Sequence, residues 1–385
     1  MNTIKQTIAA AMLLLSAAWG SMMGQNFTQF YNYTSSIEAN ALTEGYALII
    51  KDGNITKYMT TDIAGEPVLN TTLSTCEPTI CVAVALQEGG FMRLENGRNM
   101  ILTRLDNYGS KIWVKELPVH ANTPTALIQL PNNKGFAGSV IQPDGQHIVF
   151  VADANGMLRW TRPSAKLPIL ASCTDGSFLV ANGEIQKIDA ASGKTLWASD
   201  NKEDILSMCA TPQGGCMIAT LLADHSIKLT NVATDGTQNW VSNLAPNNDP
   251  YQVVDMCAAA DGRFAIAVVN APAYQLPNSD LMVFDAKGKL TTTTRYAHIL
   301  STVAPATDKG WVATGTGTDP FGTSQVVLLK TDANGIAPEF EMPFDIEFGA
   351  PEQPKLKTTE IVPIELLNLP TKSDKLDKLD KLDKK

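Results

Sequence analysis

Apolar and turn-forming residues alternate most regularly along the stretch 125–162. Four short apolar runs are separated by three clusters of Gly, Pro, Asn and Asp, at 131–135, 143–145 and 153–156. Because Gly and Asn adopt the positive φ angles that tight hairpins need, each cluster predicts a chain reversal. Four antiparallel strands in a unit of about 45 residues are typical of one β-propeller blade.

Two landmarks of this unit recur, and each occurs seven times. The first is a turn followed by a residue that opens the second strand of a blade, at Tyr46, Phe91, Phe136, Phe178, Cys216, Phe264 and Trp311. The second is an Asp-to-Gly turn between the third and fourth strands, ending at Gly65, Gly109, Gly156, Gly193, Gly236, Gly288 and Gly335. The agreement predicts an all-β fold, a seven-bladed β-propeller over residues 25–344.

Tryptophan follows four of the turn glycines at a spacing of four residues. These side chains are predicted to pack as wedges between neighbouring blades, where each would bury about 150–250 Å²; they are Trp113, Trp160, Trp197 and Trp240. Repeats 1, 6 and 7 have Leu69, Thr292 and Glu339 at that position. The sequence therefore predicts that the wedge is absent from one sector of the ring.

The repeat motif resembles that of a known superfamily. The segments DNYGSKIW (106–113), DANGMLRW (153–160) and IDAASGKTLW (188–197) are similar to the repeat of quinoprotein-dehydrogenase-like (PQQ-like) propellers. Blade seven resembles repeats of exported bacterial propellers. Quinone-dependent enzymes of that superfamily carry adjacent cysteines and a calcium site, and no two cysteines are adjacent here. The resemblance therefore implies a non-catalytic branch without cofactor or metal. The repeat motif itself indicates a blade and not a chemistry, because a fold alone specifies no activity. The marks of sialidase repeats and the paired Gly-His and Trp-Asp marks of another propeller class are missing.

Two segments compete to close the ring. The segment 27–33 precedes the first blade and could supply the outer strand of the last one, which would satisfy two sheet edges at once. The segment 337–344 follows the seventh turn and could fill the same place.

The N-terminal end of the chain predicts export. Residues 1–24 contain one positive charge, Lys5, and an apolar run at 8–18 that is too short to span a bilayer, which is typical of a cleaved signal peptide. We therefore expect a periplasmic, outer-surface or secreted protein without a transmembrane segment.

Residues 345–385 are predicted to form an extended Pro-containing segment and a disordered, charged tail. The formal net charge of −9 argues against nucleic acid as a partner.

Six cysteines in an exported chain invite a search for disulfides. Cys76 and Cys81 lie five positions apart and form a possible disulfide; Cys209 and Cys216 flank a turn and could meet across a hairpin. By contrast, Cys173, Cys209 and Cys257 occupy matching places in successive repeats, which favours buried free thiols.

Ligands of propellers usually contact what we call the loop face, formed by the connections between the second and third strands and between blades. Two such connections, 270–280 and 317–323, exceed the hairpin norm of 2–5 residues. These two connections carry aromatic residues, expected to be exposed, and carboxylates. A shorter connection adds the one histidine of the chain that has an acidic residue beside it. The candidate binding residues are Tyr274, Phe321, Asp280, Asp319, Asp224 and His225.

Two function classes fit these features. The first is a non-catalytic module or scaffold that binds another envelope or secreted protein, with peripheral association with outer-membrane proteins. The alternative is a hydrolase or lyase acting on a glycan or peptide polymer through paired carboxylates, which must converge within about 5–10 Å. Facing carboxylates in the channel mouth would favour the enzyme, and an apolar channel would favour the module.

Overall fold

The computed structural model describes residues 26–33, 35–42, 45–52, 55–74, 81–86, 88–121, 123–199, 204–224, 226–244, 251–270, 277–318 and 323–337. Every regular element in these ranges is a β-strand, and the strands form seven four-stranded antiparallel sheets. No helix in the described ranges has the length and apolar character to cross a membrane. The predicted seven-bladed, all-β fold is confirmed.

Each of the first six blades consists of four consecutive strands. Blade 1 has β2 (Ser35–Leu42), β3 (Gly45–Asp52), β4 (Ile55–Thr61) and β5 (Pro67–Ser74); blade 2 has β6 (Cys81–Ala85), β7 (Phe91–Glu95), β8 (Ile101–Leu105) and β9 (Lys111–Glu116); blade 3 has β10 (Thr123–Leu130), β11 (Gly135–Ile141), β12 (His147–Ala152) and β13 (Leu158–Ser164). Blade 4 has β14 (Ile169–Ser172), β15 (Ser177–Ala181), β16 (Ile185–Asp189) and β17 (Thr195–Ser199); blade 5 has β18 (Asp204–Ala210), β19 (Cys216–Leu221), β20 (Ile227–Val232) and β21 (Gln238–Leu244); blade 6 has β22 (Tyr251–Ala258), β23 (Phe264–Asn270), β24 (Asn278–Phe284) and β25 (Leu290–Tyr296).

Blade 7 joins the two ends of the ring. Its inner three strands are β26 (Ile299–Pro305), β27 (Trp311–Thr318) and β28 (Ser324–Thr331), and its outer strand is β1 (Phe27–Tyr31). Strand β1 runs antiparallel to β28 along its full length, from Phe27 opposite Lys330 to Tyr31 opposite Val326. Because β1 occupies the outer edge of β28, the N-terminal segment closes the ring. Residues 338–344 of the competing segment lie outside the described residues.

The Asp-to-Gly turns explain why the second landmark repeats. In blade 3 the Asp153 carboxylate accepts hydrogen bonds from the backbone N–H groups of Asn155 and Met157, both at 2.9 Å. In blade 2 Asp106 does the same at 2.8 Å. The glycine that follows has φ between 71° and 90° in all seven turns, a conformation that L residues with a side chain rarely adopt.

The tryptophan wedges lie on the turn glycines of the next blade. A Cβ on Gly156 would lie 2.6 Å from the Trp113 ring, and one on Gly193 would lie 3.2 Å from Trp160. Trp160 also donates its indole N–H to the carbonyl of Ala190 at 3.0 Å. The prediction that these side chains pack between blades is confirmed.

The wedge predicted to be missing from repeat 7 is present. Phe27 of β1 lies opposite Lys330, the place that Trp160 takes opposite Val151 in blade 3. A Cβ on Gly65 would lie 2.6 Å from the Phe27 ring, so Phe27 covers the turn glycine of blade 1. Counting forward to Glu339 gave the wrong residue because the outer strand of blade 7 comes from the other end of the chain.

Cys173, Cys209 and Cys257 are buried free thiols, as their matching places in successive repeats predicted. The predicted meeting of Cys209 and Cys216 is wrong. Cys209 lies opposite Met217 and Cys216 opposite Ala210, so the two side chains project from opposite faces of the sheet. Burial raises the pKa of Cys173 to about 11 and that of Cys216 to about 12. Cys81 lies 3.7 Å from the Thr56 hydroxyl, and Cys76 is outside the described residues, so their disulfide stays a prediction.

A buried cation joins blade 4 to blade 5. Lys187 of β16 is 1% exposed and lies 2.8 Å from the Asp175 carboxylate. Its ammonium also donates to the carbonyl of Gly214 at 2.6 Å and to the hydroxyl of Thr234 at 2.7 Å, which belong to two turns of blade 5. Burial raises the pKa of Asp175, but hydrogen bonds from Lys187 and Ser177 outweigh it and hold the pKa below its usual range. The paired charge thus fixes the relative position of the two blades.

Candidate functional site

The strand order separates two faces of the propeller. The loop face carries the connections between second and third strands, such as 142–146, 182–184 and 271–277, together with the connections between blades. The opposite face, called the turn face here, carries the hairpins between first and second strands and the Asp-to-Gly turns. The sequence prediction places its candidate binding residues on the loop face.

Asp224 lies on the loop face in the turn between β19 and β20. Its carboxylate accepts hydrogen bonds from the backbone N–H of Ser226 at 3.0 Å and from the Ser226 hydroxyl at 2.6 Å. These bonds give Asp224 a role in shaping the turn. His225 lies outside the described residues, so its relation to Asp224 stays a prediction.

Asp280 differs most from its predicted place. The sequence puts it in the long loop 270–280, whereas β24 begins at Asn278 and includes it. Its carboxylate is 1% exposed and receives two hydrogen bonds from Arg295, at 2.8 and 2.9 Å. Since Arg295 keeps 58% of its side chain exposed, the arginine is the group of this pair that solvent reaches.

The three remaining candidates, Tyr274, Phe321 and Asp319, lie outside the described residues. The strands on either side place them in the two connections that the sequence predicted, between β23 and β24 and between β27 and β28. Their role in binding stays a prediction.

A cavity of about 660 Å³ opens on the loop face between blades 3 and 4. Its size is within the usual range for ligand sites, about 300–1,000 Å³. The wall is formed by the apolar side chains of Val149, Pro163, Val180 and Ile188 and by the polar residues Arg162, Ser164, Lys166, Asn182, Glu184 and Gln186. Polar and charged side chains thus outnumber the apolar ones in this wall, which suits a polar or charged ligand.

Hydrogen bonds fix the polar rim of this cavity. Asn182 of blade 4 donates its side-chain amide to the Ser164 hydroxyl at 2.9 Å, and that hydroxyl donates to the Lys166 carbonyl at 2.8 Å. The Glu184 carboxylate accepts a hydrogen bond from the Gln186 amide. The connection between the blades is therefore held against the loop of blade 4 before any ligand arrives.

Two cations of the cavity are not neutralised by an acid. Arg162 donates one hydrogen bond to the Thr195 hydroxyl at 2.9 Å, which leaves its other N–H groups for a ligand. Lys166 is exposed, and its side-chain carbons lie beside Gly183. Among the described residues, no carboxylate forms an ion pair with either side chain.

The sequence prediction missed this cavity, although one signal was available. Residues 159–166 read RWTRPSAK and carry three positive charges in a chain of net charge −9. The repeat analysis used only the tryptophan of this segment. Arg162 and Lys166 form a cavity only together with Asn182 and Glu184 of blade 4, which packing of the two blades places beside them.

The channel is mostly apolar at the turn face beside blades 1, 2, 3 and 7. A cavity of about 460 Å³ there is lined by inner strands of blades 1, 2, 3 and 7, through Asn40, Ala41, Leu42, Val84, Ala85, Leu86, Leu127, Ile128, Gln129, Ala304 and Pro305. Among its described lining residues, the polar side chains are the amides of Asn40 and Gln129. Gln129 donates to the Glu88 carboxylate at 2.7 Å, so it ties blade 3 to blade 2.

One carboxylate lies deep in an inner strand. Asp255 of β22 accepts hydrogen bonds from the backbone N–H groups of Met256 and Val303, both at 2.9 Å, and so links the inner strands of blades 6 and 7. Burial raises its pKa to about 6. Within the described ranges, no three His, Cys, Asp or Glu side chains are grouped so as to hold a metal ion.

Comparisons with known proteins reach this chain through its fold. No family model matches it, and no curated protein matches it by sequence. Among solved structures, the β-propeller domain of Myceliophteria thermophila Cps50 (Swd1) is similar with a TM-score of 0.56 at 11% identity, over 78% of this chain and 99% of that one. The WD40 domain of Toxoplasma gondii coronin is similar with a TM-score of 0.55 at 7% identity, over 82% and 89% of the two chains. At these identities the likeness establishes the fold, a seven-bladed β-propeller.

Proposed function

We propose that this chain is a non-catalytic propeller that binds another protein through its loop face. The observation that carries its non-catalytic part is the lining of the channel cavity at blades 1, 2, 3 and 7, where nine of eleven lining residues are apolar and two are amides. The loop-face part rests on the two long connections predicted at 270–280 and 317–323, which lie on that face. A hydrolase acting in a channel needs converging ionisable groups. The similarity to WD40 domains supports a role in protein interaction.

Three described carboxylates that were candidates for chemistry, on the loop face or in an inner strand, are engaged in other bonds. Asp224 shapes a turn, Asp280 pairs with Arg295, and Asp255 accepts two backbone N–H groups. These contacts support the binding module over the hydrolase or lyase.

Export is part of the proposal. The signal-peptide pattern of residues 1–24 and the resemblance to exported PQQ-like propellers support a periplasmic or surface location, with an envelope or secreted protein as the partner. The mature protein, purified from fractionated cells, is expected to begin on N-terminal sequencing after Gly20, where Ala18-Trp19-Gly20 forms a small-x-small cleavage site, or after Gly24. A cytosolic protein that retains Met1 would contradict this location.

Partner capture from the native compartment tests the binding face. Replacing Tyr274 and Phe321 with Ala is expected to reduce recovery of the specific partner at least tenfold, because an aromatic anchor typically contributes about 1–2 kcal/mol or more to binding. The matched control is Tyr108→Ala, which removes an aromatic side chain that is 75% exposed in a turn of the opposite face. Partner loss with Tyr108→Ala and normal capture with the loop variant would refute the proposal.

A further inference from the structure

We infer that the cavity between blades 3 and 4 binds the carboxylate groups of an acidic segment of the partner protein. The inference rests on the proposed function, because it takes the ligand to be part of a protein. It names the chemistry by which one sector of the loop face recognises that protein.

The geometry supports an anionic ligand. Arg162 and Lys166 line the same cavity, and among the described residues the Arg162 guanidinium has one hydrogen-bonding partner, the Thr195 hydroxyl at 2.9 Å. A guanidinium presents five N–H donors in a planar fork that matches a carboxylate. The one carboxylate in the cavity, Glu184, is bonded to Gln186 and forms no ion pair with either cation in the described part of the chain.

The two cations are specific to this sector of the ring. Arg162 lies two residues after Trp160, and the equivalent positions in blades 4 and 5 are Ser199 and Ser242. The equivalent residue in blade 2 is Lys115, whose Cγ would lie 2.9 Å from a Cβ on Gly156, so its stem packs onto the next blade. Blade 3 alone therefore combines a basic side chain at this position with a second one in the following connection.

The acidic character of the whole chain does not oppose this binding. Exposed charges are screened over about 8 Å at physiological ionic strength, so nearby groups dominate the potential in the cavity. The apolar side chains of Val149, Val180 and Ile188 in the wall lower the local dielectric constant, which strengthens the bond of a carboxylate to the guanidinium. A segment with alternating acidic and small residues would place a carboxylate on the cations and lay its backbone along the rim.

Fluorescence anisotropy with two labelled peptides tests the inference. The probe is (Gly-Glu)₃ and its neutral counterpart is (Gly-Gln)₃, both carrying the same fluorophore. The mature protein is expected to bind the acidic probe at least tenfold more tightly, with an affinity that falls as NaCl is raised from 50 to 500 mM. Equal binding of the two peptides would overturn the inference.

Variants place the binding in the cavity. The double change Arg162→Gln and Lys166→Gln is expected to weaken the acidic probe at least tenfold and to remove most of its salt dependence, while Lys115→Gln stays within twofold of the wild type. Circular dichroism checks the fold of each variant. If the double variant does not fold, Lys166→Gln alone serves, since Lys166 is exposed, and a threefold loss is expected. Unchanged binding in a folded variant would refute the site.

Competition separates the two sources of a carboxylate. N-acetylglutamate is expected to displace the probe only at concentrations at least a hundredfold above the peptide Kd. Displacement at equal concentration would mean that the cavity takes a small free acid, which overturns the assignment to a protein segment. Partner capture distinguishes failure of this inference from failure of the proposed function. If the Arg162→Gln, Lys166→Gln variant captures the partner normally, only the role of the cavity is refuted. If the wild type binds the acidic probe and the variant with Ala at Tyr274 and Phe321 still captures the partner normally, only the role of the two aromatic residues is refuted.

Discussion

At the scale of single residues, the turn glycines serve two purposes at once. Gly156 has φ of 77°, which disfavours a side chain, and it also lies under the Trp113 ring. Gly145 has φ of 85° in a loop-face turn, and a Cβ there would meet nothing within 4 Å. The pair therefore separates backbone strain from the loss of interblade packing.

Gly156→Ala is expected to lower the free energy of unfolding by about 2–3 kcal/mol, because strain adds to a clash with the indole. Gly145→Ala is expected to cost about 1 kcal/mol from strain alone. Chemical denaturation of both variants measures the difference. Equal losses would show that Trp113 does not depend on the bare backbone of the next turn.

At the scale of elements, the sequence predicts the repeats but leaves two candidates for the strand that closes the ring, the segments 27–33 and 337–344. Turn glycines and their preceding aspartates fix the strand order locally, so their spacing alone predicts seven four-stranded repeats. The outer strand of blade 7 comes from the N-terminus, a pairing between Phe27 and Lys330 that no local pattern determines. The same holds for the cavity, where Arg162 and Asn182 meet only after two blades pack.

The closing strand predicts a contrast between two phenylalanines. Phe27→Ala is expected to lower the free energy of unfolding by about 2 kcal/mol, since a half-buried wedge between blades 7 and 1 is lost. Phe340→Ala changes the segment that competes for the same place and is expected to change stability by less than about 0.5 kcal/mol. The reverse order in thermal or chemical denaturation would assign closure to the C-terminal segment.

At the scale of the whole molecule, the propeller separates stability from recognition. The turn face holds the Asp-to-Gly turns, the buried Lys187–Asp175 pair that joins two blades, and the apolar cavity of the channel. The loop face carries the long connections and the cavity with unneutralised cations. Substitutions on the turn face should therefore act on folding, and those on the loop face should act on binding.

Amide hydrogen exchange of the mature protein, with and without the captured partner, tests this division most directly. Binding is expected to slow exchange in loop-face peptides that contain 142–146, 182–184 and 271–277. Turn-face peptides that contain 106–110 and 153–157 should exchange at the same rate in both states. Protection confined to the turn-face peptides would contradict the claim that this propeller binds through its loop face.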